Sequence, residues 1–198
     1  MTDKESEPDY IFKILMLGDA AVGKTSLSKH YIENAFTPDI RLTVGIQFFI
    51  KQEILVEGKR VKLQIWDFGG EDRFRIMVPT LCLGSHGCLF MYDTTRPSTL
   101  NSHHSWTYIV KERCGKDVPI MLVGNKIDLN DKRAISTEHG IEVAKRSGFT
   151  GFAETSAKTG MNIDSTFETI SRLMIERMRR LEQEDESSDA KPPIIIGE

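Results

Sequence analysis

Apolar and polar positions along this chain fall into short runs of two kinds. Ile11-Phe12-Lys13-Ile14-Leu15-Met16-Leu17 is a nearly continuous apolar run of strand length, and Gly87 to Tyr92, Val118 to Gly124 and Phe149 to Thr155 read the same way. Between these runs the spacing turns helical. Leu27 and Tyr31 stand four apart within Lys24 to Asn34, and helical segments follow near Ser98 to Glu112 and Thr137 to Ser147. Val44 to Val56 and Arg60 to Asp67 are two further strands, joined around Glu57-Gly58-Lys59, a turn of hairpin length. Ile163, Phe167, Ile170, Met174 and Leu181 form one apolar stripe, which predicts a last helix ending near Leu181. Residues Phe36 to Leu42, with Pro38 and Asp39, and the stretch from Phe68 through Pro79 show no period and read as loops.

Strands alternating with helices predict an α/β fold: a six-stranded, mostly parallel sheet covered by helices on both faces, with the hairpin supplying one antiparallel edge strand. At 198 residues, 39% apolar, the chain holds one sizeable core rather than two. The expected domain spans residues 10–182, between an acidic tail at 1–9 and a disordered acidic, proline-containing tail at 183–198. A formal net charge of −3 gives no electrostatic reason to expect nucleic acid as a partner. Cys82, Cys88 and Cys114 are odd in number, irregularly spaced and without metal-ligand companions, which favours reduced thiols in the cytosol. No apolar stretch approaches membrane-spanning length, and Met1 to Asp9 is acidic rather than signal-like.

Chemistry enters where the first strand meets the first helix. Residues 18 to 25 read Gly-Asp-Ala-Ala-Val-Gly-Lys-Thr, a complete G-x-x-x-x-G-K-[ST] phosphate loop. Its glycines leave room for backbone N–H groups to face phosphate oxygens, Lys24 adds a point charge, and the Thr25 hydroxyl can ligate Mg²⁺. Asn125-Lys126-Ile127-Asp128 directly follows a buried-looking strand, at the edge where open α/β sheets bind ligands. There Asp128 can accept from both the N1–H and the N2 amine of guanine, whereas adenine would leave the acid facing a ring acceptor. Glu154-Thr155-Ser156-Ala157-Lys158 ends another strand, where the Ser156 and Ala157 amides could donate to guanine O6.

These segments, with Trp66-Asp67-Phe68-Gly69-Gly70, resemble in order and spacing the small GTPases of the Ras superfamily over about residues 10 to 182. Lys62 to Asp67 and Thr43-Val44-Gly45-Ile46-Gln47-Phe48 look most like the Rab branch, and Leu89 to Ser102 also looks like septation-initiating GTPases. The resemblance implies a switch that binds GTP or GDP with Mg²⁺ and hydrolyses GTP to control effector binding. It implies a nucleotide set of Gly18, Asp19, Ala20, Ala21, Val22, Gly23, Lys24, Thr25, Ser26, Phe36, Thr43, Gly70, Asn125, Lys126, Asp128, Ser156, Ala157 and Lys158. Phe36 would stack on guanine, Thr25, Thr43 and Asp67 would hold the metal, and Lys24, Thr43, Gly70 and Glu71 would serve hydrolysis.

Glu71 departs from the family pattern, which places a glutamine there to orient the attacking water. As a base the carboxylate could accept the water's proton, but beside the γ-phosphate it would be repelled and turn away, and Arg73 or Arg75 could pair with it. Slow intrinsic hydrolysis is the expectation; a binding module with negligible hydrolysis is the alternative. Effectors, exchange factors and GTPase-activating proteins would bind through residues 36–48 and 68–82, including the aromatic pair Phe48 and Trp66, with Leu81 or Cys82 where Rab proteins carry a third aromatic. His103 and His104 read as surface residues. No cysteine follows Cys114 and residue 2 is Thr, so no direct lipid anchor is expected. The picture is of a cytoplasmic monomer that reaches membranes only through a partner.

Overall fold

The computed structural model of the protein describes residues 7–36, 42–71, 74 and 76–189. The first strand, β1 (Tyr10–Leu17), leads through the glycine-containing loop into α1 (Lys24–Glu33). An antiparallel hairpin of β2 (Ile46–Val56) and β3 (Lys59–Phe68) follows, then the short α2 (Val78–Leu81) and β4 (Gly87–Asp93). After it come α3 (Ser98–Asn101), α4 (His103–Cys114), β5 (Ile120–Asn125), α5 (Thr137–Arg146), β6 (Gly151–Thr155) and the long α6 (Ile163–Asp189). The strands form one six-stranded sheet in the order β2-β3-β1-β4-β5-β6, parallel everywhere except between β2 and β3. The expected sheet, with its antiparallel edge, is therefore present.

Alternation along the central strands builds a core on each face. Phe12, Ile14, Met16, Leu89, Met91 and Val123 point to one side, where Leu27 and Tyr31 of α1 and Phe167, Ile170 and Met174 of α6 cover them. Leu15, Leu17, Phe90, Tyr92 and Leu122 point to the other, against Trp106 and Val110 of α4 and Ala144 of α5. Each fully buried large side chain contributes about 1.5–3 kcal/mol. Both faces being covered explains why these strands read as continuous apolar runs.

Four local expectations need correcting. The predicted helix over Ser98 to Glu112 divides at Ser102, whose ψ of −7° tightens the turn, and Ser102 Oγ donates to Thr99 O at 3.3 Å. That break rolls His103 inward rather than onto the surface: its Nδ1 donates to Leu100 O at 2.8 Å and its Nε2 meets Ser147 Oγ at 2.8 Å. Burial holds this imidazole below the usual histidine range. The last helix also outruns its stripe. It continues past the half-buried Leu181 to Asp189 because Glu182, Gln183 and Glu184 are good helix formers, and an exposed extension needs no core of its own. Residues 190–198 lie outside the described residues, as do 1–6. Glu7 to Asp9 do not behave as tail: the Asp9 carboxylate accepts the Arg60 N–H at 2.8 Å, and the Arg60 side chain donates to Glu7 O at 2.6 Å.

Strand register fixes where the chemistry converges. Asp93, Asn125 and Thr155, at the carboxyl ends of β4, β5 and β6, stand side by side. Next to them, β1 is flanked by β3 and β4, so the chain departs in opposite directions on either side of it. This is the switch point of an open α/β sheet, where crevices form.

Candidate functional site

The loop after β1 is shaped by close backbone packing. At Gly18, φ is 131° and an added Cβ would collide with the Met91 carbonyl of β4. At Gly23, φ is 102° and a Cβ would strike the Asn125 side-chain amide. Both positions are open only to glycine. The carbonyls of the loop are taken up by side-chain donors. Lys24 Nζ donates to Gly18 O at 2.7 Å and Asp19 O at 2.8 Å, Lys126 Nζ to Ala21 O at 2.8 Å, and Asn125 Nδ2 to Val22 O at 2.8 Å. Burial pushes the Lys24 ammonium down to about 8, against the pull of Asp67 and Asp19. Phosphate oxygens in front of Lys24 would add to the counter-charge that Asp67 and Asp19 give this buried cation.

Asn125 also ties the second and third motifs together. Its Oδ1 accepts the Ala157 N–H at 3.0 Å and the Thr155 hydroxyl at 3.2 Å, so one side chain links three loops that are remote in sequence. Asp128 Oδ1 accepts the Ser156 hydroxyl at 2.6 Å, and Ser156 Oγ in turn accepts the Thr159 N–H at 3.1 Å. From α1, His30 Nδ1 donates to Ala157 O at 2.7 Å. This end of the site therefore presents an acceptor carboxylate at Asp128 beside an immobilised backbone loop.

At the other end, three oxygens meet. Thr25 Oγ1 lies 2.6 Å from Thr43 Oγ1 and donates to Asp67 Oδ2. Asp67 is fully buried, and its Oδ1 has no hydrogen-bond partner among the described residues. Burial raises the Asp67 carboxyl to about 6, with Lys24 and the Thr25 hydroxyl opposing. Two hydroxyls and an incompletely paired buried carboxylate are the hard oxygen donors that Mg²⁺ takes, so these residues fit that ion.

Between the two ends lies a cavity of about 810 Å³. Of the residues predicted from sequence, Ala20, Ala21, Gly23, Lys24, Thr25, Ser26, Phe36, Thr43, Gly70, Glu71, Asn125, Lys126, Asp128, Ala157 and Lys158 line it. Gly18, Val22, Asp67 and Ser156 are buried immediately behind that wall, and Asp19 is half-buried. Glu71 is part of that lining. Residues 37–41 fall outside the described residues, as do Arg73 and Arg75, the alternative partners for Glu71.

Sequence reasoning missed Asp93 and Arg96. The Asp93 carboxylate is 1% exposed, and it receives Lys126 Nζ at 2.7 Å, Arg96 Nε at 3.0 Å, and the Thr95 hydroxyl and amide at 2.7 and 2.9 Å. Burial works against this charge, but the Lys126 ammonium and the Thr95 donors outweigh it and hold the carboxyl below the usual aspartate range. Arg96 continues to the loop, its Nη2 donating to Ala20 O at 3.0 Å. The position of Asp93 at the carboxyl end of β4 was the available signal.

Fold and site together define an α/β domain of the P-loop GTPase type. The sequence profile described as Ras family matches residues 13–176, and the chain belongs to that family. It is 38% identical to Ras-related protein Rab-8B of Bos taurus over 190 residues, covering 96% of this chain and 91% of the relative. Against Ras-related protein Rab-3A of Homo sapiens it is 39% identical over 189 residues, covering 96% and 82%. Ras-related protein Rab-8A of Bos taurus is 40% identical over 164 residues, covering 83% and 78%. The protein is accordingly a Rab-like nucleotide-dependent switch and a GTP-hydrolysing enzyme, of a family that uses GTP, GDP and Mg²⁺.

Proposed function

We propose that the cavity holds one guanine nucleotide, with its phosphates on the Gly18–Thr25 loop and its base between Asp128, Phe36 and the Ser156-Ala157-Lys158 turn. The observation that carries this reading is Asn125, which fastens the phosphate loop to the base-reading loop with three buried hydrogen bonds. Thr25, Thr43 and Asp67 would hold Mg²⁺, which when bound neutralises phosphate charge. Thr43 and Gly70 stand on the two segments that a terminal phosphate would tether, so loss of that phosphate relaxes residues 36–45 and 68–80. Effectors, exchange factors and activating proteins read that change through residues 36–48 and 68–82. The protein works as a monomer in the cytoplasm, in keeping with its family and its three unpaired cysteines.

Intrinsic hydrolysis is slow because the carboxylate at Glu71 accepts hydrogen bonds where the family's glutamine can also donate one, and the bound nucleotide would place a phosphate anion beside it. Single-turnover hydrolysis of bound GTP tests this directly: Glu71→Gln should hydrolyse about tenfold faster than the parent. An unchanged rate would remove any part for the carboxylate. Calorimetry on the parent, showing no magnesium-assisted uptake of GDP, would sink the site assignment itself.

A further inference from the structure

We propose that Arg96 is a positioning residue for the nucleotide: by holding the Ala20 carbonyl it keeps the following peptide turned so that the Ala21 N–H faces the phosphates, and it thereby slows nucleotide release. The proposal rests on the reading of the cavity as a guanine-nucleotide site. Successive carbonyls of the loop each have a donor: Lys24 for Gly18 and Asp19, Arg96 for Ala20, Lys126 for Ala21, Asn125 for Val22, and the Leu27 amide for Gly23. A carbonyl and the next N–H share one rigid plane and point opposite ways. Arg96 is not among the residues that line the cavity, whereas Ala20 and Ala21 are, so tying Ala20 O to Arg96 turns the Ala21 amide the opposite way, toward the cavity.

That plane has a reason to turn over. Ala21 has φ 59°, a left-handed conformation that is unfavourable for any residue with a Cβ. Rotating the peptide between Ala20 and Ala21 would relieve Ala21 and withdraw its amide. Arg96 opposes that rotation with a fixed fork: Nε is held by the buried Asp93 carboxylate at 3.0 Å while Nη2 reaches Ala20 O at 3.0 Å. A planar guanidinium spans two acceptors in this way without reorganising. Its side chain is 42% exposed, so removing it leaves no cavity in either core.

The experiment is stopped-flow release of a fluorescent GDP analogue, with magnesium, from the full chain carrying Arg96→Ala, Ala21→Gly or both, alongside thermal melting of each protein. Arg96→Ala should release the nucleotide about tenfold faster, as expected for losing one charge-assisted hydrogen bond. In the Ala21→Gly background, where the left-handed conformation is free of strain, the same change should accelerate release by about threefold or less. Acceleration below about twofold in the parent background, or equal acceleration in both backgrounds, would overturn the proposal. Were Arg96→Ala not to fold, Arg96→Gln, which cannot reach both acceptors, is read by the same criteria. A parent that retains no GDP would overturn the site reading and this proposal together, whereas slow release indifferent to Arg96 removes only the proposal.

Discussion

The two walls of the cavity are built on opposite principles. The rear wall, from the phosphate loop to the base-reading loops, is dense with buried side chains that bond to backbone: Lys24 is 5% exposed, Asn125 1% and Asp93 1%. The front wall, around Phe36, Leu42 to Val44, Gly69 to Glu71, Phe74, Ile76 and Met77, displays apolar side chains to solvent, with Val44 73% exposed and Ile76 83%. Its described backbone ties are short-range or single, such as Gly69 N–H to Gly45 O at 2.8 Å and Phe74 N–H to Glu71 O at 2.9 Å. A binder that must hold two nucleotides yet signal which one is present needs this division. The rear wall is held together by the protein's own hydrogen bonds, so on the proposed reading it binds what GDP and GTP share. The front wall lacks enough burial to fix itself, so its order can depend on the one phosphate that differs.

The largest effect should come from breaking the rear wall at its busiest point. Asn125→Ala leaves the Val22 carbonyl, the Ala157 amide and the Thr155 hydroxyl without their partner in a buried setting. At about 1–3 kcal/mol for each orphaned group, partly offset by relaxation, the loss in binding should be about 3 kcal/mol, or roughly a hundredfold. GDP and GTP should suffer alike. Competition binding of both nucleotides checks this, and a loss confined to GTP would show that the rear wall discriminates after all.

On the front wall the expected signature is the reverse. Thr43 reaches the metal corner only through its hydroxyl, 2.6 Å from that of Thr25. Thr43→Ala should weaken a non-hydrolysable GTP analogue about tenfold while changing GDP affinity by no more than about twofold, because the contact it removes is proposed to form only with the terminal phosphate. Calorimetry with both ligands measures the ratio. Equal losses would dissolve the distinction between the walls.

What could be read from sequence divides along a similar line. The phosphate loop, Asn125 to Asp128 and Ser156 to Lys158 are local strings whose chemistry is fixed by neighbours along the chain, and the structure gathers them at one sheet edge. The continuous apolar runs, alternating with helical segments, likewise foretold a sheet covered on both faces. The link from Asp93 through Arg96 to Ala20 was not legible: it joins residues 76 positions apart, and an Asp followed three residues later by an Arg has many solvated precedents. His103 was misjudged because its burial depends on a break at Ser102 that no apolar spacing announces. The helical extension to Asp189 was hidden for another reason: composition reports whether a segment can build a core, not whether an anchored helix can continue without one.

The smallest expected effect sharpens the comparison at the outer margin of the front wall. Phe48 is 60% exposed and meets Trp66 edge-on, with ring centroids 4.6 Å apart at 85°, while Lys13 Nζ sits 3.7 Å over the Trp66 ring. The same ammonium donates to Leu81 O at 2.6 Å and Leu83 O at 2.9 Å, so a row of side chains joins the β2–β3 hairpin to the segment after α2. Of the two candidates for the third aromatic position, Cys82 faces the core and only Leu81 stands near this surface. An aromatic pair of this kind adds about 0.5–1.5 kcal/mol when desolvated, and here one ring is mostly in water. Phe48→Ala should therefore cost about 1 kcal/mol or less in urea unfolding. A loss of about 3 kcal/mol or more would mark Phe48 as a brace that the hairpin requires. A small loss would leave its exposed ring without a structural purpose, which is what the proposed partner-reading surface requires.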